Sequence, residues 1–318
     1  MEYVKRLEDI KVKKSGVVTL GKFDGVHRGH RKLIERVLQI GKKEDCETAV
    51  FTFDVSPQVR MGSAKAKMLM TNEERRSLLK EIGVDLLVEC PFTEAVQNME
   101  AEEFVEKVLI GRLRMKYAVV GTDFHFGRGR RGNPEFLRRM GKEMDFSVEI
   151  VQKEKDGSRD ISSTYVREEL EAGRMENVRR LLGYPFFVSG KIVHGRHKGH
   201  SFGYPTINQV PEPEKLLPPW GVYTSRTRVG GKLYNSVTNI GKKPTVRGKE
   251  LGAETYLFDC DENLYGLEAR VELLSFQRPE RKFESEQALM AQLRRDAEEA
   301  RENAERINIR RIYPKGTP

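Results

Sequence analysis

The chain has 318 residues, more than one compact core usually holds, so its length favours two domains. Hydrophobic residues make up 38% of it and charged residues 33%, a composition that argues against disorder. The formal net charge of +9 favours a negatively charged partner: a nucleotide, a nucleic acid or an anionic membrane surface. Cys46, Cys90 and Cys260 are odd in number and form no Cys-x-x-Cys pair, which argues against disulfides and zinc. Nothing resembles a signal peptide or a membrane span, so we expect a cytoplasmic protein with no membrane partner.

Residues 16–152 alternate short apolar runs with amphipathic stretches, the pattern of a parallel sheet with crossover helices. The predicted strands are residues 17–20, 48–53, 85–88, 117–120 and 147–151. Between the first two, apolar residues at i, i+1, i+4 and i+5 from Leu33 line one helical face, and Gly41 ends the run. The segment therefore predicts a βαβ unit.

Charged sequence around residues 153–159 precedes two short predicted helices, residues 163–172 and 175–182. We place the domain boundary after Gly183. Beyond it, predicted strands separated by Gly, Pro and Asn turns are residues 187–193, 222–229, 233–240, 254–258 and 269–274. They predict a small antiparallel barrel or sandwich. A final helix from about residue 285 should pack its apolar stripe, Leu289 to Ala304, on that barrel.

Residues 21–30, Gly-Lys-Phe-Asp-Gly-Val-His-Arg-Gly-His, lie between the first predicted strand and the first helix. Glycines in such a turn let backbone N–H groups approach a phosphate, and the helix N-terminus adds partial positive charge. His27 and His30 are three residues apart, so both can face one ligand. An isolated His-x-x-His is usually an exposed pair, but its position between strand and helix favours a phosphate site here.

Two other nucleotide-binding fingerprints are excluded. Residues 127–132 match G-x-G-x-x-G, but residues 122–126 separate them from the strand, and Arg130 and Arg131 crowd the turn. We interpret this segment as a basic loop. No G-x-x-x-x-G-K-[ST] sequence occurs, which excludes a P-loop ATPase.

Three further segments carry candidate ligands. Residues 161–167, Ile-Ser-Ser-Thr-Tyr-Val-Arg, open a predicted helix, where the hydroxyls either cap the helix or form a second phosphate cradle. Thr206 and Asn208 follow a Gly-Tyr-Pro turn and offer two oxygen donors that suit Mg²⁺. Glu254 begins an apolar strand, where a carboxylate is either an ordinary strand-end residue or a functional one.

Taken in order, these segments resemble the bacterial bifunctional riboflavin kinase/FAD synthetase family, and the resemblance covers essentially the whole chain. The first half carries the family's adenylyltransferase motifs: G-x-F-D-G-x-H-x-G-H at residues 21–30, V-G-x-D-F-x-F-G within residues 119–127 and I-S-S-T-x-[IV]-R at residues 161–167. The second half carries its flavokinase motifs: G-x-P-T-x-N at residues 203–208, then residues 239–245, Glu254, residues 264–266 and R-P-E-x-K-F at residues 278–283.

The chain departs from the family's pattern at four positions. Val55 stands where proline is usual, and Asp160 where a basic residue is frequent. His200 and Phe202 replace an Arg and a Leu before the Gly-Tyr-Pro turn of the kinase phosphate loop. We expect Asp160 to weaken ATP binding at the adenylyltransferase site.

The resemblance implies a fold and two activities. Residues 1–183 would form a Rossmann-like nucleotidyltransferase domain with a parallel sheet, and residues 184–318 a small antiparallel β-barrel with a terminal helix. The second domain would phosphorylate riboflavin to FMN with ATP, and the first would join FMN to a second ATP, giving FAD and pyrophosphate. The implied partners are the small molecules riboflavin, FMN and ATP, with Mg²⁺ as cofactor.

The resemblance also implies residue roles. Thr206 and Asn208 would hold Mg²⁺, and Glu254 would accept the proton of the riboflavin hydroxyl. His27 and His30 would stabilise charge on the transferred phosphate. Residues implied to bind ATP or its phosphates are Gly21, Phe23, Asp24, Gly25, Gly29, Ser162, Ser163, Thr164, Arg167 and Gly203. Residues implied to position flavin or nucleotide are Asp123 and Phe124.

Two other classes stay open on the residues alone. Another His-x-Gly-His nucleotidyltransferase or a class I aminoacyl-tRNA synthetase would share the first motif, but the barrel argues against both, and no Lys-Met-Ser-Lys-Ser-like sequence occurs. A nucleic-acid binder is suggested by a basic cluster that has no interleaved aromatic platform. The cluster consists of Arg128, Arg130, Arg131, Arg138, Arg139 and Lys142. We interpret it as a solvated face and expect no nucleic-acid partner.

Overall fold

The structure is a computed structural model that describes residues 1–54, 67–195, 204–245 and 248–307. Residues 243–245 and 248–251 are described by their backbone only. The chain forms two compact units, here called the first unit, Met1–Ser162, and the second unit, from Ser163 onward. The domain boundary after Gly183 stays a prediction. Four residues discussed above lie outside the described ranges: Val55, His200, Phe202 and Gly203.

The first unit contains a parallel six-stranded sheet in the order β1-β4-β3-β2-β5-β6. Its strands are β1 Glu2–Val4, β2 Gly16–Leu20, β3 Glu47–Phe53, β4 Leu86–Cys90, β5 Met115–Gly121 and β6 Ser147–Val151. Every residue of β2 and β4 is buried, as expected for strands covered on both faces. All five predicted strands are confirmed, whereas β1 is too short to give a periodic signal.

Helices join these strands: α1 Arg28–Glu44, α2 Asn72–Ile82, α3 Glu94–Asn98, α4 Ala101–Glu103 with a π-helical continuation Phe104–Ile110, and α5 Pro134–Met144. The predicted α1 is confirmed. A capping box starts α2, because the Thr71 hydroxyl accepts from the Glu74 N–H and the Glu74 carboxylate accepts from the Thr71 N–H. Gly83 ends that helix in the left-handed conformation.

The strand order reverses at β2, because the chain adds strands on one side of it first and on the other side later. From β2 the chain continues through α1 to β3 on one side, while β5 pairs with β2 on the other. Loops that follow the carboxyl ends of two such strands open onto a common crevice. The turn after β2 and the segment after β5 therefore lie at the same edge of the sheet.

The second unit begins with two helices, α6 Ser163–Glu171 and α7 Met175–Leu182, both close to the predicted ranges. Two short strands, β7 Lys155–Asp156 and β8 Arg159–Asp160, form a hairpin before them at the end of the first unit. Helix α7 buries Met175, Val178, Leu181 and Leu182, and packs on two strands of the barrel described next.

Six antiparallel strands form the predicted barrel, in the order β10-β13-β12-β11-β14-β9. They are β9 Phe186–Lys191, β10 Thr206–Gln209, β11 Gly221–Val229, β12 Lys232–Thr245, β13 Gly248–Leu257 and β14 Glu268–Pro279. The two edges meet where the Val193 N–H donates to the Asn208 carbonyl at 2.8 Å. Helix α7 contacts β14 and β9.

A chain of buried hydroxyls crosses β11, β12 and β13. Ser225 lies 2.8 Å from Ser236 and 2.7 Å from Thr238, measured between hydroxyl oxygens. The chain extends to Thr227 beyond Ser236 and to Thr255 beyond Thr238. All five side chains have no exposed surface, so these groups satisfy one another rather than water.

The terminal helix α8 spans Glu286–Arg306, and the Ser285 hydroxyl caps it. Its predicted apolar stripe is confirmed: Ala297, Ala300 and Ala304 are buried where α8 packs on β11, β12 and β14. The Arg278 guanidinium, near the end of β14, binds both carboxylate oxygens of Asp296 on α8 at 2.9 and 2.6 Å. This bidentate pair fixes α8 to the barrel.

The packing of α7 predicts that the barrel is less stable without it. The free energy of unfolding of a fragment of residues 184–318 should be roughly 3–6 kcal/mol below that of residues 163–318. The shorter fragment lacks the buried side chains Val178, Leu181 and Leu182, and it exposes the barrel surface that α7 covers. Urea denaturation followed through Trp220, the single tryptophan, measures this difference. A fragment starting at residue 174 keeps α7 and lacks only α6, so its stability should lie between those of the other two. Equal stability of all three fragments would contradict the prediction and favour the boundary after Gly183.

Candidate active sites

The turn between β2 and α1 places the first candidate site. Its backbone takes left-handed φ angles at Phe23 (47°), Gly25 (79°) and Val26 (36°), a conformation that costs free energy for the two residues with side chains. The Phe23 ring is fully buried. The Gly21 N–H donates to the Phe51 carbonyl at 3.1 Å, which ties the turn to β3. The surrounding structure therefore holds this turn in an unfavourable backbone conformation at the crevice of the sheet.

His27 and His30 lie together at the start of α1. Their rings stack with centroids 3.8 Å apart and planes 18° apart, and the Phe23 ring lies 5.0 Å from His30. His27 is the N-cap, and its Nδ1 accepts from the His30 N–H at 3.4 Å. A Cβ at Gly29 would come within 3.2 Å of the His27 ring, so glycine is suited to this close approach. The pairing predicted from the sequence is present.

Burial keeps both imidazoles uncharged. It lowers the pKa of His27 to about 4, although the Asp123 carboxylate acts in the opposite direction. Burial also lowers the pKa of His30 well below its usual value, and His27 lowers it further. The His30 Nδ1 is buried and has no hydrogen-bond partner among the described residues. At neutral pH the pair therefore offers hydrogen bonds, and an incoming anion would favour protonation.

Two carboxylates flank this turn. Asp24 accepts a hydrogen bond from the Met70 N–H at 3.3 Å. Asp123, in the segment after β5, is exposed and pairs with Lys153 at 3.0 Å, measured from Oδ2 to Nζ. The same ammonium lies 3.5 Å from Asp160, so the residue that departs from the family pattern competes with Asp123 for one cation.

The other predicted residues of this site lie in two places. Phe124 stacks on Phe126 with centroids 5.4 Å apart and planes 14° apart. Ser162 ends the first unit, whereas Ser163, Thr164 and Arg167 lie on α6. The part these last residues take in phosphate binding stays a prediction.

The second candidate site is a row of polar side chains across three strands of the barrel. Glu254 on β13 lies directly opposite Asn208 on β10 and Asn239 on β12, and directly opposed residues share one face of a sheet. The Thr206 hydroxyl donates to the Glu254 Oε1 at 3.0 Å. The structure therefore brings together Thr206, Asn208 and Glu254, as the sequence predicts.

Comparisons with known proteins identify the family of each part of the chain. Residues 9–165 match the family model for FAD synthetase, and residues 182–304 match the family model for riboflavin kinase. The bifunctional riboflavin kinase/FMN adenylyltransferase of Escherichia coli (strain K12) is 37% identical over 288 residues, 90% of this chain and 92% of that protein. This chain belongs to the bifunctional riboflavin kinase/FMN adenylyltransferase family. The relative from Bacillus subtilis (strain 168), with the same name, is 34% identical over 89% of this chain and 91% of that protein.

A solved structure extends the likeness to the fold. The crystal structure of a protein from Streptococcus pneumoniae, described as a macrolide-efflux protein, matches with a TM-score of 0.83 and 31% identity. It covers 94% of this chain and 98% of that one. Among the described residues, no helix is long and apolar enough to span a membrane.

Asn239 belongs to the row of polar side chains on the barrel, although the sequence interpretation gave it no role. Its Nδ2 donates to the Glu280 Oε1 at 3.0 Å, while its Oδ1 is buried without a hydrogen-bond partner among the described residues. An unpaired buried acceptor beside Glu254 is suited to a donor group of a ligand. The signal was present in the sequence, because Asn239 begins the segment quoted for the family resemblance.

The donor set at this family site suits Mg²⁺ bound together with a nucleotide. Hydroxyl and amide oxygens are hard ligands, and Mg²⁺ usually takes few protein ligands beside phosphate oxygens and water. Within the described residues, no group of three or more His, Cys, Asp or Glu side chains could hold a metal by itself. Thr206 and Asn208 therefore fit a cation that arrives with ATP.

The basic cluster that suggested nucleic acid is largely compensated. Arg128 and Arg131 lie 3.4 and 3.8 Å from Glu100, measured between charged atoms. Arg138 pairs with Glu135 at 3.9 Å. Arg139 pairs with Glu102 and Glu143 at 3.8 and 3.4 Å. These contacts agree with a solvated, mixed-charge surface.

The lowered pKa of His27 predicts that acid destabilises the first unit. The unfolded imidazole, with a pKa of 6.5, takes up protons that the folded one refuses until pH about 4. The free energy of unfolding is therefore not reduced by His27 above pH 6.5 and decreases as the pH falls from 6.5 towards 4. At pH 5 this decrease is about 2 kcal/mol. Calorimetry of the chain and of His27→Gln at about pH 7.5 and 5 measures it. The variant should show the smaller loss, and the exposed His125→Gln should match the parent; equal losses in all three would contradict the prediction.

Proposed function

We propose that this chain carries out both reactions of its family. The second domain, residues 184–318, transfers the γ-phosphoryl group of ATP to riboflavin, and the first, residues 1–183, transfers an adenylyl group from ATP to FMN. One observation carries this proposal: a single chain holds two separate sites, a stacked imidazole pair at a helix N-terminus and a carboxylate–amide row on a barrel.

In adenylyl transfer, an FMN phosphate oxygen attacks the α-phosphorus of ATP and pyrophosphate leaves. His27 and His30 donate hydrogen bonds to the oxygens on which charge builds, helped by the N-terminus of α1. Because both imidazoles are uncharged in a site that excludes water, their donors are oriented in advance. Gly21, Gly25 and Gly29 let backbone approach the phosphates.

Further residues support this reaction in our proposal. Ser162, Ser163, Thr164 and Arg167 steady the pyrophosphate, since hydroxyls and a guanidinium are suited to phosphate oxygens. Asp24, Asp123 and Phe124 position nucleotide or flavin. Phe23 acts through its packing against His30 rather than through a polar group.

In phosphoryl transfer, the terminal ribityl hydroxyl of riboflavin attacks the γ-phosphorus, ADP leaves, and the hydroxyl proton passes to Glu254. The hydrogen bond from Thr206 holds that carboxylate in place. Thr206 and Asn208 would hold Mg²⁺, which would supply positive charge against the transferred phosphoryl group. Gly203 completes the phosphate loop.

The chain acts in the cytoplasm on small molecules, without nucleic acid, in this proposal. Its three free thiols, Cys46, Cys90 and Cys260, suit a reducing compartment. The ion pairs of Arg128, Arg131, Arg138 and Arg139 leave little of that surface for a polyanion.

Glu254→Gln should slow FMN formation about 10²–10⁴-fold, the usual cost of removing a general base. Gln keeps the size and can accept from Thr206, but it cannot take the proton. FAD formation from supplied FMN should stay within about threefold of the parent, since that reaction uses the other site. Chromatography of flavins after incubation with riboflavin or FMN, ATP and Mg²⁺ measures both. Glu262→Gln, an exposed carboxylate paired with Lys232, is the control. If the parent yields only FMN, the proposal of two activities is wrong.

His30→Ala should have the opposite effect. Losing one preorganised donor at the transferred phosphate costs about 10²–10³-fold in FMN adenylylation. Riboflavin phosphorylation by the same molecules should be unchanged, which makes the kinase an internal control for folding and concentration. An equal loss of both activities in a folded variant would contradict separate sites and indicate a shared one.

A further inference from the structure

A buried arginine on α2 contacts both strand ends beside the adenylyltransferase turn. Only 5% of the Arg75 side chain is exposed. One terminal nitrogen, Nη1, donates to the Lys22 carbonyl within the turn at 3.3 Å. The other, Nη2, donates to the Phe53 carbonyl at the end of β3, also at 3.3 Å. One planar group thus spans the turn after β2 and the end of the neighbouring strand.

The Lys22 carbonyl is the point through which this contact reaches the imidazoles. It also accepts from the Thr52 hydroxyl at 3.2 Å, so two side chains fix its direction. The peptide that contains it leads directly into Phe23, whose φ of 47° is unfavourable for a residue with a side chain. The Phe23 ring then lies 5.0 Å from His30. A continuous series of contacts therefore connects Arg75 to His30 through the Lys22–Phe23 peptide and the Phe23 ring.

Further side chains fix the Arg75 guanidinium in place. Asn72 accepts from Nη2 at 2.8 Å, and Glu89 on β4, which has no exposed surface, forms an ion pair with the same nitrogen. Arg76 lies 3.3 Å from the other Glu89 oxygen, and the Tyr3 hydroxyl donates to it at 2.8 Å. Arg76 shares Glu89 with Arg75 and lies over the Tyr3 ring, whereas the hydrogen bonds to the Lys22 and Phe53 carbonyls come from Arg75.

We propose that Arg75 is a positioning residue for FMN adenylylation, which orients the Lys22–Phe23 peptide and thereby sets the place of His30. This inference rests on the proposed adenylyl transfer at His27 and His30. A purely structural alternative exists, in which the Arg75–Glu89 pair only stabilises the fold. The two roles predict different rates of FMN adenylylation for a variant that lacks both Arg75 and the charge of Glu89.

The variants are Arg75→Met, Arg75→Met with Glu89→Gln, and Arg76→Met. Arg75→Met alone leaves Glu89 undercompensated, so it should lower the melting temperature as well as activity. The double variant removes both members of the pair and should recover much of that temperature. Its kcat for FMN adenylylation should stay about 10²-fold below the parent, with a smaller change in KM, because misplaced catalytic groups chiefly affect the transition state.

Arg76→Met is the matched control, because it loses a Glu89 contact but keeps both carbonyl contacts. Its adenylylation should stay within about threefold of the parent, well below the cost expected of misplacement. Riboflavin phosphorylation by the same molecules should be unchanged in all variants. If the double variant regains adenylylation together with its melting temperature, Arg75 is structural only and the proposal is wrong.

A second measurement does not depend on turnover. Proton NMR titration of the imidazoles should show the His30 pKa rising towards its usual value in the double variant and not in Arg76→Met, because a displaced Phe23 ring admits water. An unchanged His30 titration in the double variant would overturn the positioning role. If the parent forms no FAD while the titration shifts as expected, the proposed adenylyl transfer fails but the positioning of His30 by Arg75 stands.

Discussion

A carboxylate without exposed surface sets a constraint that several elements of the first unit meet together. Glu89 is buried near the carboxyl end of β4, where an unpaired charge would cost several kcal/mol. A phenol from β1 and two guanidinium groups from α2 compensate it. Burial and the hydrogen bond to Glu89 raise the pKa of Tyr3 to about 12, so the phenol remains a donor. The shortest strand of the parallel sheet and an unpredicted helix are thereby joined to the carboxyl end of that sheet, where the imidazoles lie.

In our proposal both sites hold phosphate groups, and the backbone contributes differently to each. At the first, a parallel sheet supplies a crevice and α1 supplies the partial positive charge of its N-terminus, so the side chains can be uncharged imidazoles. At the second, antiparallel register aligns Asn208, Glu254 and Asn239 from three strands. A β-sheet has little net dipole, so charge there must come from side chains or from a cation.

Much of this arrangement could be predicted from sequence, for reasons that differ between elements. The buried strands gave apolar runs, and the turn before α1 gave a dense motif of glycines and histidines. Arg75 and Glu89 gave no such signal, because each is one charged residue in an ordinary amphipathic pattern and only long-range packing buries them. Helix α2 does carry local signals, because Thr71 and Glu74 form a capping box at its start and Gly83 ends it. Strand β10 has four residues after a proline, too few to show alternation.

The hydroxyl chain inside the barrel carries one more hydrogen than it has hydrogen bonds. Thr227, Ser236, Ser225, Thr238 and Thr255 form four links in a line, yet five hydroxyls bring five hydrogens. Each hydroxyl donates once but can accept twice, so the links either run one way or converge on one oxygen, and in every case one hydrogen is left over for an acceptor outside the line. Replacing Ser225 by Ala would divide the line into two pairs, each with its own surplus hydrogen. Substitutions along it should therefore be accepted in evolution as correlated groups rather than one at a time.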